Sequence, residues 1–359
     1  MRLSKAALRR LHRYLGLCLA VLWLSQAATG LVMVFRWELD DATLAGAAAP
    51  LDPAALEARV AALEAAQPGH SVQQLYTSGS GAERFDLYLR STDGDTDLVR
   101  VAGDGRVLRT QPYGRDFGEA GLIQAAAFLH QTLLAGDTGH WIVGVSGLFL
   151  LLSIGLGAVL AWPRRGTWRR TIWPRGLRPG AGRVYAWHRA AGLWLAAPAI
   201  VLVACGTLMV FEDPLRRALD LDAQPPELRQ APGPTRTPVG LAAALGAALG
   251  RFPDAALSGA TMPAPGRPWY RVRVLQPGEW RRAYGTSVVY VSAADGTILL
   301  AEDALTAPAA RRFVEGLYPV HTGEAGGLAG RLLTFAIGSW LLAMLGLGTT
   351  LWALRRRHG

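Results

Sequence analysis

Residues 14–35 read YLGLCLAVLWLSQAATGLVMVF and contain no charged side chain. About 20 apolar residues in a helix cross the hydrocarbon core of a bilayer, so this stretch predicts a membrane span. Three further uncharged stretches of similar length follow, at Trp141 to Trp162, Ala190 to Phe211 and Leu332 to Leu354. The composition, with 51% hydrophobic and 18% charged residues, excludes a disordered or collagen-like chain. The sequence therefore predicts a membrane protein with four spans.

The basic residues cluster beside these spans. Residues 1–13, 163–189 and 355–357 hold 16 of the 37 Lys and Arg residues and no Asp or Glu. With four spans these segments share one side, which the positive-inside rule makes cytoplasmic, so both termini are predicted inside. Because topology accounts for the clusters, the net charge of +10 predicts no nucleic-acid partner. A cleaved signal peptide is the alternative for the first stretch, but its apolar run is long for one and recurs later in the chain.

The chain contains an internal repeat. A shift of 176 residues aligns the first span with the third, and a shift of 191 aligns the second with the fourth. Since each half contains an even number of spans, the halves are predicted to be parallel and related by an axis along the membrane normal. The repeat pairs His12 with His188 near the cytoplasmic face, and His130 with His321 near the opposite face.

The two long segments between spans share a pattern. In the first, Pro53 to Ala66 is typical of a helix and Arg84 to Arg90 alternates as a strand. In the second, Val239 to Leu249 predicts a helix and Trp269 to Leu275 predicts a strand, after a proline-rich linker at Gln224 to Pro238. Each segment is therefore predicted to form a small α+β domain.

The predicted fold class is a membrane protein with an α-helical bundle of four transmembrane helices, built from two parallel repeats, and two small external α+β domains. The predicted segments, in chain order, are 1–37 (cytoplasmic start and first span), 38–137 (first external domain), 138–163 (second span), 164–187 (basic cytoplasmic loop), 188–212 (third span), 213–328 (second external domain) and 329–359 (fourth span and basic tail).

Paired histidines at equal depth predict a site for a flat metal cofactor in the bundle core. His12 with His188, and His130 with His321, are predicted to face each other across such a cofactor. Haem iron with two His ligands has no open axial position, which suits electron transfer. Zinc needs three or four protein ligands, and no cluster of His, Cys or acidic residues supplies them. A single His at a helix end is more simply a hydrogen-bonding residue, but an ionisable residue near the membrane interior is by default a functional candidate.

Two arginines adjoin the His12–His188 pair in the sequence. Arg13 and Arg189 are candidates to bind haem propionates by bidentate contacts, and anchoring at the cytoplasmic surface is their alternative role. The first and third spans also carry small residues that suit either a cofactor or close helix packing in lipid. These are Gly16, Gly30, Gly192 and Gly206.

Short motifs at the span ends resemble those of the PepSY-associated transmembrane proteins. They are Leu11-His-Arg-Tyr-Leu-Gly16, Trp187-His-Arg-Ala-Ala-Gly192, Leu129-His-Gln-Thr-Leu-Leu134 and His321-Thr-Gly323. The resemblance covers nearly the whole chain, and the external domains look like PepSY modules. It implies a bacterial inner-membrane protein, often linked to iron acquisition, and some members look like periplasmic ferric-siderophore reductases with b-type haem. Motif by motif, the resemblance carries the haem-ligand role over to His12, His130, His188 and His321.

The function predicted from the repeat and the resemblance is transmembrane electron transfer through two bis-His b-type haems. Quinol or a cytoplasmic reductase is the predicted donor, and a ferric-siderophore or other periplasmic electron acceptor is the predicted acceptor, with membrane lipid as the surrounding partner. Reduction to the ferrous state weakens binding to hard oxygen ligands and releases the iron. The alternatives are a non-catalytic membrane-anchored PepSY module that binds or regulates a periplasmic partner, and a siderophore transporter. The spans lack acidic and basic residues, which weakens the transporter hypothesis.

Overall fold

The structure is a computed structural model that describes residues 4–44, 49–79, 83–221, 228 and 239–356. Apart from Leu228, the linker predicted at Gln224 to Pro238 lies outside the described residues. Contacts between Cα atoms divide the chain into two compact units, which we call the helical unit and the sheet unit. The helical unit comprises Met1–Val34, Ala126–Leu215 and Leu317–Gly359, and the sheet unit comprises Phe35–Ala125 and Arg216–Gly316.

The described residues form fourteen α-helices and eight strands. The helices are α1 (Lys5–Cys18), α2 (Ala20–Val34), α3 (Arg36–Asp41), α4 (Pro53–Ala66), α5 (Phe117–Ala120), α6 (Leu122–Thr132), α7 (Gly136–Ala161), α8 (Trp168–Ile172), α9 (Ala181–Trp194), α10 (Ala196–Val210), α11 (Glu212–Ala218), α12 (Leu241–Arg251), α13 (Ala309–Thr322) and α14 (Gly327–Arg356). The strands are β1 (His70–Thr77), β2 (Arg84–Ser91), β3 (Thr96–Ala102), β4 (Val107–Pro112), β5 (Ala256–Thr261), β6 (Trp269–Leu275), β7 (Ser287–Ser292) and β8 (Ile298–Glu302).

Two helices of the described chain are long and apolar enough to cross a membrane singly. They are α7 and the continuous helical run Glu324–Arg356, which contains α14. Helices α1 and α2 form a pair bent by 63°, and α9 and α10 form a pair bent by 64°. The described residues therefore contain two candidate spans, or four if each bent pair crosses as one span.

The two bends occupy equivalent positions in the repeat. Leu19 separates α1 from α2 with φ −103° and ψ 6°, and Leu195 separates α9 from α10 with φ −119° and ψ 12°. Pro198 lies in the first turn of α10, where a missing N–H costs no intrahelical hydrogen bond. No proline lies near Leu19. Residue type therefore does not mark the first bend, and the apolar pattern runs through it unchanged.

One antiparallel sheet of eight strands, in the order β4-β3-β2-β1-β5-β6-β7-β8, forms the centre of the sheet unit. Each external segment contributes four strands, and β1 pairs with β5 at the middle, with Leu75 opposite Ala260 and Tyr76 opposite Gly259. Leu56 of α4 and Leu245 of α12 are fully buried in the core cluster formed with one face of the sheet. Burial of such a side chain stabilises the fold by about 1.5–3 kcal/mol.

The fold class predicted from the sequence is wrong. The structure is not a four-helix transmembrane bundle, because two of the four predicted spans are bent helix pairs and the described residues include many further helices and a large sheet. The two external segments also do not form separate α+β domains, since the pairing of β1 with β5 makes their strands one sheet.

The prediction of local elements was better than that of their assembly. The helix predicted at Pro53 to Ala66 is confirmed as α4, and the strand predicted at Trp269 to Leu275 is confirmed as β6. The two strands that join the halves, β1 and β5, were missed. Each contains a β-bulge, between Val72 and Gln74 in β1 and between Leu257 and Gly259 in β5, which interrupts the alternation that identifies a strand.

Candidate functional site

The first pair of candidate ligands lies between α1, which carries His12, and α9, which carries His188. The rings of His12 and His188 lie 6.2 Å apart between centroids, at an interplanar angle of 53°. Helix α1 packs against α7, and α9 packs against α14. The two imidazoles therefore meet where these four helices of the helical unit come together.

The backbone of a neighbouring helix lies beside each of these rings. Nδ1 of His12 donates a hydrogen bond to the carbonyl of Ser153 on α7, at 3.0 Å. The repeat places Met344 of α14 at the position equivalent to Ser153. The His188 ring lies near the backbone of Met344, but its Nδ1 is buried without a hydrogen-bond partner among the described residues. The two halves thus present the same backbone position to the two rings.

The second pair lies at the ends of α6 and α13. The rings of His130 and His321 are 6.3 Å apart between centroids, at an interplanar angle of 31°. Nδ1 of His130 donates to the carbonyl of Gln26 on α2 at 3.1 Å, and Nδ1 of His321 donates to the carbonyl of Leu202 on α10 at 2.9 Å. Gln26 and Leu202 are equivalent under the 176-residue shift. This pair therefore also has a two-fold arrangement of backbone partners.

The carbonyl partners determine which ring nitrogen is available. A carbonyl oxygen only accepts hydrogen bonds, so Nδ1 of His12, His130 and His321 carries the hydrogen. In a neutral imidazole the other nitrogen, Nε2, then keeps its lone pair. An Nδ1–H bond to a backbone carbonyl is the arrangement that orients a metal-ligating His and raises its basicity.

Each of the four rings packs against a glycine of a neighbouring helix. A Cβ atom added to that glycine would lie 3.2 Å from Cε1 of His12 at Gly157, 3.4 Å from Cε1 of His188 at Gly348, 3.2 Å from Cε1 of His130 at Gly30, and 2.5 Å from Cε1 of His321 at Gly206. A larger residue would move the ring at Gly206 and crowd it at the other three positions. The small size of glycine at these four positions therefore allows the imidazole rings to occupy their observed places.

The glycines predicted from the sequence divide into two groups. Gly30 and Gly206 contact the histidine rings of His130 and His321. A Cβ at Gly16 would have nothing within 4 Å, and one at Gly192 would meet the methyl group of Met344 at 3.3 Å. Gly157 and Gly348, which lie on α7 and α14, were not singled out as ring neighbours.

The ring spacing fits ligation of one metal ion by two imidazoles. A metal–nitrogen bond of about 2.0 Å on each side places the centroids of two such rings about 6 Å apart. Both observed separations, 6.2 Å and 6.3 Å, match this value. The described residues contain no group of three or more His, Cys, Asp or Glu side chains that could hold a metal ion. A pair of imidazoles suits haem, which brings its own equatorial nitrogen ligands.

The two candidate arginines have different surroundings. Arg13 is exposed, and its guanidinium lies 5.1 Å from the centroid of the Tyr14 ring. Arg189 Nε donates to the carbonyl of Ala161 at 2.9 Å, at the end of α7. A cation at a helix C-terminus satisfies free carbonyls and stabilises the helix dipole. Arg189 therefore has a helix-capping role, and propionate binding by either arginine stays a prediction.

A family model described as the PepSY-associated TM region matches residues 9–355. The chain belongs to this family. The family membership predicted from the span-end motifs is confirmed, and membership together with the apolar helices makes this PepSY_TM chain a membrane protein in contact with lipid. No curated protein matches the PepSY_TM chain.

Sequence reasoning did not identify the groups that hold the imidazoles of this PepSY_TM chain. Every residue has a backbone carbonyl, so the residue types of Gln26, Ser153 and Leu202 do not show that they are partners of histidine rings. Arg331 was also missed. It is only 7% exposed and donates to the carbonyl of Val34, at the end of α2, from Nη2 at 2.9 Å. The repeat offered one usable signal, because Arg331 occupies the position equivalent to His140.

Proposed function

We propose that the His12–His188 pair and the His130–His321 pair each hold one b-type haem, and that this membrane protein transfers electrons between them. The observation that carries the proposal is the repetition of one arrangement: two rings about 6 Å apart, each against an equivalent glycine, with three of the four rings bonded to a backbone carbonyl. The repeat alone explains why the surroundings of equivalent histidines are alike, but it does not require equivalent rings to meet at the spacing of two ligands of one metal.

The protein residues would position the cofactors. The carbonyls of Ser153, Gln26 and Leu202 fix the tautomer of three imidazoles and direct their free Nε2 atoms. The histidine pairs would hold the haem iron, and the haem would supply one-electron redox chemistry. Arg13 follows His12 in the sequence and is exposed, and we propose that it binds a haem propionate.

The two pairs are separated along the helices. Gly157 of α7 faces the first pair, whereas Gly147 of α7 packs against Thr207, the neighbour of the Gly206 that faces the second pair. At 1.5 Å per residue, residues 147 and 157 lie about 15 Å apart along the helix axis. This separation supports transfer along the span direction rather than two cofactors at one depth.

The proposed direction of transfer is outward across a bacterial inner membrane. The three basic segments favour a cytoplasmic location for both termini, which would place the external segments in the periplasm. Quinol or a cytoplasmic reductase would supply electrons, and each ferric ion of a siderophore complex would take one electron and become ferrous. Ferrous iron binds hard oxygen donors more weakly, so reduction would release it.

The activity can be tested with the purified full-length protein. The protein is reduced anaerobically, freed of reductant and mixed with a ferric chelate, while haem absorbance and ferrous iron trapped by a colorimetric chelator are recorded. We expect one ferrous ion for each haem that is reoxidised, and no reoxidation by the gallium(III) form of the same chelate. Reduced haem that no ferric chelate oxidises would refute the reductase activity. A colourless preparation from haem-sufficient cells would instead favour the anchored binding module or the transporter.

A further inference from the structure

Two arginines lie side by side on the sheet face opposite the core of the sheet unit. In β6, Val272 and Val274 are fully buried in that core, so the alternate residues Arg271 and Arg273 belong to the other face. Both side chains are half-buried. The neighbouring strand β5 places Gly259 opposite Arg273 and Thr261 opposite Arg271. Two cations therefore share one patch of the sheet, with small or polar residues beside them on β5, and with Tyr290 and Val288 beside them on β7.

These arginines lack the partners that other buried arginines of the sheet unit have. Arg100, 4% exposed, forms ion pairs with both Asp86 and Asp40. Among the described residues, neither Arg271 nor Arg273 takes part in an ion pair. The single hydrogen bond of Arg273 is a long one, 3.5 Å from Nη1 to a backbone carbonyl, and its Nε is buried without an acceptor. A buried donor without an acceptor is costly, and Arg273 also lacks the ion pairs that Arg100 makes.

A further cation, Arg281, acts on this pair. Burial, followed by the charges of Arg271 and Arg281, lowers the pKa of Arg273 to about 10, which leaves the guanidinium charged at neutral pH. The charge of Glu315 acts on Arg273 in the opposite sense, but its carboxylate already pairs with Arg311 at 2.8 Å. The local charge is therefore positive, in contrast to the acidic excess of the chain outside its basic segments.

Aromatic rings border the same patch. Tyr76 of β1 lies directly across Gly259 from Arg273 in the strand register. A Cβ at Gly259 would come within 2.4 Å of the Tyr76 ring, so the glycine makes room for that ring beside the arginine. The Tyr76 ring stands edge-on to that of Tyr284, at 6.0 Å and 89°. Guanidinium groups beside aromatic rings bind flat anions by paired hydrogen bonds and stacking.

We propose that Arg271, Arg273, Tyr76 and Tyr284 form a binding site for a negatively charged ferric chelate whose iron-binding groups are aromatic, the catecholate class. This inference rests on the proposed function and names the substrate class for it. The unpaired guanidinium groups would bind the anionic oxygens, and the tyrosine rings would stack on the aromatic donor groups. A neutral tris-hydroxamate chelate offers neither feature and would bind weakly.

The test uses gallium(III) chelates, because gallium(III) is not reduced and binding is then read independently of electron transfer. Binding of an anionic gallium(III) tris-catecholate and of a neutral gallium(III) tris-hydroxamate to the full-length protein is measured by calorimetry in a neutral detergent. We expect the tris-catecholate to bind at least about tenfold tighter than the tris-hydroxamate. The double variant Arg271→Gln with Arg273→Gln should bind the tris-catecholate at least about tenfold more weakly than the parent protein does. Arg90→Gln, an exposed arginine on β2, is the matched control and should leave the affinity unchanged.

The result that overturns the proposal is equal binding of the two chelates, or a double variant that binds the tris-catecholate like the parent. Arg271→Lys with Arg273→Lys keeps the charge and should recover part of the affinity, which distinguishes a lost contact from a misfolded sheet. Binding of anionic phospholipid vesicles is measured with the parent protein and the double variant. If the vesicles bind and both arginines are needed, while the tris-catecholate does not bind, the occupant is lipid and the chelate proposal is wrong. If the protein binds the gallium chelate but contains no haem or reduces no iron, the proposed function is wrong and the binding-site proposal is still supported.

Discussion

The imidazole rings of His130 and His321 lie 6.3 Å apart with 31° between their planes, although the residues are 191 positions apart in the chain. Each ring donates from Nδ1 to a backbone carbonyl, and the two carbonyls are equivalent in the internal repeat. The second pair, His12 and His188, has nearly the same separation but an angle of 53°. The repeat therefore yields two similar sites, each with one histidine from each half of the chain.

Loss of any one histidine should remove one particular haem. We expect His12→Ala and His188→Ala to lose the same haem, and His130→Ala and His321→Ala to lose the other, because one imidazole cannot complete bis-His ligation. Haem content per chain, with a redox titration that tells the two haems apart, measures this. His140→Ala on α7 is the control and should keep both haems. Losses that pair in another way would contradict the two-fold arrangement.

The glycines that contact the rings should be needed for haem binding. Gly206→Ala would place a Cβ 2.5 Å from Cε1 of His321, so the ring must move and haem content should fall towards one per chain. Gly155→Ala on α7, where a Cβ would have nothing within 4 Å, should keep both haems. Alanine favours a helix by up to about 1 kcal/mol over glycine, so a weaker helix cannot explain a loss. Two haems retained in Gly206→Ala would show that the ring position is not critical.

The buried ion pairs of Arg100 should be needed for stability. Arg100→Ala leaves the buried carboxylates of Asp86 and Asp40 without this cation, which costs about 3–5 kcal/mol. Arg106→Ala removes an exposed pair with Asp104, 3.8 Å long, and should cost less than about 1 kcal/mol. Thermal unfolding in detergent, followed by tryptophan fluorescence, compares the two variants. Equal unfolding temperatures would mean that the buried network contributes little.

The pairing of β1 with β5 should depend on Gly259. Gly259→Val would bring a Cβ within 2.4 Å of the Tyr76 ring and 2.8 Å of the Leu75 carbonyl, so the two central strands must separate. Hydrogen exchange of the β1 and β5 amides should become faster, while that of the outer strands changes less. Gly246→Ala on α12, where a Cβ meets nothing within 4 Å, should not alter exchange. Unchanged protection in Gly259→Val would contradict a continuous sheet.

The sequence predicted local structure well because local structure follows residue pattern. The apolar runs, the helix α4 and the strand β6 are each specified by residues close together in the chain. The repeat also pointed to the four histidines, since the same residue recurs at equivalent positions. Long-range features were not predictable in this way. The bend at Leu19 has no marker residue, and the joining of β1 to β5 depends on strand edges whose alternation is interrupted by bulges.

The surroundings of the histidines were hidden for a related reason. A backbone carbonyl such as that of Gln26 or Leu202 is present at every position, so only the folded structure shows which carbonyl meets which ring. The Arg271–Arg273 patch was likewise hidden within a net-acidic part of the chain, because a sum of charges does not show which carboxylates are already paired. Both features depend on the arrangement of side chains between distant strands or helices.

Histidines from the two halves of the chain are proposed to bind two haems. Haem per chain in the purified wild-type protein, together with the spin state of the iron by electron paramagnetic resonance, measures this binding. We predict two haems per chain, both low-spin with two axial imidazoles. A protein without haem, or one whose iron is high-spin, would contradict bis-His ligation by these two pairs.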